Sequence, residues 1–60
     1  MMLWQFLCNN FGFKTRLEAV QAITGENKSV MVILNGFYAQ NPDFMLNDRD
    51  EVMVSKRYRS

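Results

Sequence analysis

Few residues in this chain have the chemistry to build a reactive site. Cys8 is the only thiol, and histidine is absent. That removes Ser-His and Cys-His nucleophile pairs. It also leaves a single thiolate where a structural zinc needs four ligands. Cys8 lies in an apolar run with no basic neighbour to lower its pKa, so it reads as a small core residue. Asp48, Asp50 and Glu51 crowd together as in a cation loop. Their spacing lacks the glycine and distal glutamate of an EF-hand, and Arg49 stands among them. A solvated turn accounts for them without a ligand. Lys56-Arg57-Tyr58-Arg59 alternates cation and ring, a pattern that can stack a base and touch phosphates. It equally suits a strand end that resists edge pairing. No catalytic residue, metal ligand or cofactor site is assigned, and the chain is expected not to be an enzyme.

The sixty residues that must position these groups make one domain, 1–60. A domain of this size buries only ~60% of its unfolded surface. It must therefore rest on its apolar residues, 48% of the composition, or on a partner. Seven basic against six acidic residues give +1. That is too little field to draw nucleic acid or an anionic membrane. The apolar start lacks a basic flank and a small-residue cleavage site, so it is not read as a secretory signal. No run approaches the ~20 apolar residues of a membrane span. One unpaired cysteine points to a reducing, cytoplasmic setting.

Residues 2–8 are apolar apart from Gln5 and suit a strand, with a buried helical turn as the alternative. Asn9-Asn10 is a turn signal. Gly12, between Phe11 and Phe13, suggests a return arm or a bulge. The pattern leaves open whether 2–13 make a hairpin or a single strand. Thr15-Arg16-Leu17-Glu18 has the capping-box form, with the Thr15 hydroxyl and the Glu18 carboxylate each reaching a backbone N–H. With Gly25 as the stop, a helix is expected from about Arg16 to Thr24, burying Leu17, Val20 and Ile23.

Ser29 to Leu34 is rich in β-branched residues and apolar on both faces, as in a doubly covered central strand. Asn35-Gly36 before Phe37-Tyr38-Ala39 is a hairpin signal. Pro42 interrupts the ladder, Phe44-Met45-Leu46 forms an apolar anchor, and 47–50 is a polar turn. Glu51 to Lys56 alternates as the last strand. One helix on one face of a mixed sheet is an α+β architecture. The order helix, central strand, hairpin, terminal strand suggests a β-grasp with a shortened N-terminal hairpin.

From Val30 to Val54 the pattern resembles the small ubiquitin-like sulfur carriers of thiamine and molybdopterin biosynthesis. Those proteins have a strand ending in V-N-G, then L-x-D-G-D-E-V, then the final strand. Asn35-Gly36 matches the first element, and Leu46, Asp48, Asp50, Glu51 and Val52 match the second. The resemblance covers about Thr15 to Val54, and TGS domains share its motifs. It implies a β-grasp fold and an adenylating partner of the ubiquitin-activating type. Arg49 replaces the turn glycine. The family's chemistry resides in a Gly-Gly tail, whereas residues after Gly36 include no glycine. No reactive residue is therefore carried over.

Five methionines and eight aromatics (five Phe, two Tyr, one Trp) exceed what so small a body can bury. Surplus apolar surface marks contact sites, and methionine adapts to partners. The expected function is a noncatalytic protein-interaction module, acting on a protein partner or as a homodimer. The expected interface comprises Phe37, Tyr38, Met53 and Tyr58, with the N-terminal strand as the favoured pairing edge. A sulfur carrier is the first alternative, and a TGS-like RNA-contacting module using the basic tail is the second.

Overall fold

The apolar start of the chain is helical rather than extended. In a computed structural model that describes residues 1–56, helix α1 spans Leu3–Phe11. Leu3 and Leu7, one turn apart, are fully buried, and Trp4 and Cys8 pack beside them against the same core. Asn9 and Asn10 face solvent. This corrects the expected N-terminal strand and its shortened hairpin. A strand would also place Leu3 and Leu7 on one face. Only a helix brings Trp4 and Cys8 to that side as well. The Gln5 Oε1 atom accepts from the Met2 N–H at 3.0 Å, and the Asn10 amide donates to the Phe6 carbonyl at 3.0 Å. The polar break at Gln5 and the turn-signal residue Asn10 are thus both bonded to backbone of the helix or its cap.

Gly12 ends α1 in the left-handed region, at φ 77°. An added Cβ there meets no atom within 4 Å. Gly12→Ala therefore carries a backbone penalty alone, on the order of 1 kcal/mol. A urea midpoint lowered to that extent, with an unchanged m-value, checks it.

Helix α2 covers Arg16–Thr24, as expected from its caps. The Thr15 hydroxyl accepts from the Glu18 N–H at 3.1 Å. The Glu18 carboxylate reaches back to the N–H of Lys14, at 2.7 Å, one residue beyond the expected Thr15. Its buried face is Ala19, Ala22 and Ile23, while Leu17 is 64% exposed. The expected stripe is rotated because α1 supplies a second packing surface. Two alanines let the helices approach closely, and the face carrying Leu17 is left to solvent.

Strands β1 (Val30–Leu34), β2 (Phe37–Tyr38) and β3 (Val52–Lys56) form one sheet in the order β2-β1-β3. Both pairings are antiparallel, which corrects the expected mixed sheet. Asn35-Gly36 makes the hairpin turn with positive φ at both residues, as that turn requires. Val30, Val32, Leu34, Val52 and Val54 point to the helices and share their core. The central strand is therefore covered on one face, not two. The fold is a small α+β arrangement with two helices where one was expected.

The chain start is held by the apolar anchor. Met2 bridges Met45, the Leu3 N–H donates to the Phe44 carbonyl at 2.8 Å, and the Leu46 N–H donates to the Met1 carbonyl at 2.9 Å. Among the described residues no helix is long and apolar enough to cross a membrane.

Candidate sheet-face interface

Residues directly opposite one another in an antiparallel pair point to the same face. Ile33 lies opposite Tyr38 on one side and Met53 on the other. Tyr38, Ile33 and Met53 therefore form one row across all three strands. Met31, opposite Ser55, extends it by a second row. None of these four apolar residues belongs to the core cluster. Tyr38 is 65% exposed and Met53 is 58% exposed. Strand alternation causes this: the valines of VMVIL and VMVSK turn inward, so the methionines turn outward.

The interface residues expected from sequence separate on this geometry. Tyr38 and Met53 are brought together through Ile33. Among the described residues Phe37 is the most exposed large apolar one at 77%, but it opposes Leu34 and so belongs to the other face, at the hairpin rim. Tyr58 lies outside the described residues, as do Arg57 and Arg59 of the basic tail. Ile33 and Met31 were missed. Their alternation with Val30, Val32 and Leu34 was legible, but a run apolar at every position hides which half faces out. The favoured N-terminal pairing edge is absent, because those residues are helical.

The acidic turn is tied to the hairpin. The Asn35 amide donates to Asp50 Oδ1 at 2.9 Å, and Asn35 Oδ1 accepts from the Glu51 N–H at 2.8 Å. Asp50 Oδ2 accepts from the Asn47 N–H at 2.7 Å, and the Asn35 N–H donates to the Glu51 carbonyl at 2.9 Å. Both Asp50 oxygens are thus engaged by the chain itself. Among the described residues no three His, Cys, Asp or Glu side chains gather as a metal site.

The Asn47 backbone N–H, and then the Asn35 amide, hold the Asp50 carboxyl below its ordinary value of 3.8, against a smaller opposing effect of burial. The native pKa is depressed, so this stabilisation is fully present above the ordinary value. It is lost as pH falls through the native one. An acid titration of stability should show that loss at low pH, and Asp50→Asn should flatten it.

Two shallow grooves flank the sheet. One, of about 280 Å³, lies where β2 stops short and the start of β1 faces the end of α2 at Ala22 and Gly25. Its lining has no carboxylate or cationic side chain. The other, of about 320 Å³, is lined by Met1, Phe6, Leu46 and Val52 together with Asn47, Asp48 and Asp50. Cys8 is half-buried, and its thiol donates to the Thr15 carbonyl at 3.6 Å. Arg16 lies 5.5 Å over the Trp4 ring and pairs with Asp43 at 3.5 Å on the surface. The Trp4 indole N–H is buried without a partner among the described residues. Compared with known proteins, the chain matches no family model, no curated protein and no solved structure.

Proposed function

We propose that this chain is a noncatalytic protein-interaction module whose working surface is the open face of the sheet. The row Tyr38–Ile33–Met53 carries the proposal, since it places solvent-facing apolar side chains side by side on a rigid three-stranded platform. Single exposed apolar residues are ordinary, but a contiguous set on one face marks a contact site. A methionine and a tyrosine suit such a face. One adapts its shape, and the other offers ring area with a polar tip. Photo-crosslinking amino acids at Tyr38 and Met53, introduced in the native host, should yield discrete protein adducts. The same group at Leu17, on the far side of α2, should yield none. Adducts from Leu17 and none from the sheet would overturn this function.

A relation to the ubiquitin-like sulfur carriers is the second reading, and one observation favours it. Asn35-Gly36 and the Asp48–Val52 segment, the two elements that carry the resemblance, are bonded to each other through Asn35 and Asp50. From α2 onward the element order also follows the second half of a β-grasp. On that reading the partner is an adenylating enzyme. Copurification with such an enzyme, and a thiocarboxylate on the native protein, would support it. Native protein whose mass ends at Ser60 without that modification would oppose it.

A further inference from the structure

The outer edge of β3 is the largest unpaired piece of backbone in the described sheet. β3 is an edge strand of five residues. The Asn35 N–H bond to the Glu51 carbonyl fixes the alternation. Glu51, Met53 and Ser55 direct their backbone groups toward β1. Val52, Val54 and Lys56 direct theirs outward. Among the described residues no hydrogen bond reaches those outward groups.

We propose that this edge pairs with the same edge of a second copy, antiparallel, with Met53 opposite Met53 on the two-fold axis. The partner rests on the protein-interaction reading above, and it is named by three features. The first is symmetry. An isologous contact requires one patch to match itself, and an antiparallel strand pair with a two-fold axis does so. The second is charge. Asp50 and Lys56 are equally distant along the chain from Met53. An axis through Met53 therefore sets Lys56 of each copy opposite Asp50 of the other, whereas parallel pairing would set like charges together. The third is space. The 320 Å³ groove beside Val52 lies at this end of the edge, with an apolar wall and two carboxylates, Asp48 and Asp50. That lining fits a lysine, whose stem takes apolar surface and whose ammonium takes the carboxylates. The Asp50 oxygens can each accept a further hydrogen bond.

This pairing joins two three-stranded sheets into one of six. It extends the exposed row to Tyr38–Ile33–Met53–Met53–Ile33–Tyr38 across both copies. Strand addition alone buries less than the ~1,200 Å² typical of stable complexes, so a weak, concentration-dependent dimer is expected.

Two kinds of variant test it. The Val54 N–H points outward, where an edge strand tolerates proline. Val54→Pro should abolish association, and Lys56→Glu should weaken it about tenfold by turning attraction into repulsion. Lys56→Glu should leave the melt unchanged, so it carries the test if Val54→Pro fails to fold. In a Cys8→Ser background, Met53→Cys should form an intermolecular disulfide under mild oxidation. Directly opposite residues of a non-hydrogen-bonded pair have the required spacing. Met31→Cys, on the same face but on the central strand, should not. A monomeric mass to millimolar concentration would overturn the pairing, as would equal cross-linking from Met31→Cys or association unaffected by Lys56→Glu. Sheet-face adducts to a different protein, together with a monomeric mass, would remove the second copy while leaving the interaction module standing.

Discussion

Leu7→Ala is expected to leave this protein largely unfolded at 25 °C. Leu7 is fully buried in the cluster that joins α1, α2 and β1. Large-to-small changes at such sites cost roughly 2–5 kcal/mol, through lost transfer energy and a residual cavity. A core of this size rarely supplies more than about 3–5 kcal/mol in total. The matched control is Leu17→Ala. Leu17 is 64% exposed, so its loss should fall within about 0.5 kcal/mol. The sequence pattern alone placed Leu17 on the core stripe, so the pair of variants separates the two arrangements. Far-UV circular dichroism with urea titration reads both. A folded Leu7→Ala beside an unfolded Leu17→Ala would refute the packing described.

Asn35→Ala should be the next most damaging change, at about 2–4 kcal/mol, from two independent causes. The side chain makes two hydrogen bonds across the sheet end, to Asp50 and from Glu51, each contributing about 0.5–1.5 kcal/mol. The backbone sits at φ 53°, where alanine pays roughly 1 kcal/mol and asparagine little. Asn35→Gly separates the two. It keeps the conformational freedom and removes only the bonds, so it should recover about a third of the loss. Asn35→Asp should be worse than glycine, because it sets a second carboxylate against Asp50. Thermal melts of the three variants in one buffer give the order.

How much of this was legible varies with the length scale of the signal. Helix α2 was, because Thr15, Glu18 and Gly25 are local caps that act within a few residues. The β1–β2 hairpin was, because Asn35-Gly36 encodes its own dihedrals. The alternation of β3 was equally plain. Helix α1 was not, since a short apolar run satisfies strand and helix periods alike. What decides is whether Trp4 and Cys8 share a face with Leu3 and Leu7, and that depends on α2 lying beside them. The exposure of Leu17 has the same origin. The Asn35–Asp50 link joins residues far apart in the chain, and only the β1–β3 register brings them together. Tyr38 and Met53 were expected at an interface, and both are exposed. That they share a row through Ile33, and that Phe37 does not, follows from register as well.

The most direct test of protein contact through the sheet is a dilution series of backbone amide chemical shifts, from micromolar to millimolar. The expected result is a two-body isotherm with shifts centred on Asp50 through Lys56, the segment whose outer edge pairs. Spectra that do not change over that range, or shifts centred on the outer faces of α1 and α2, would contradict a self-paired sheet.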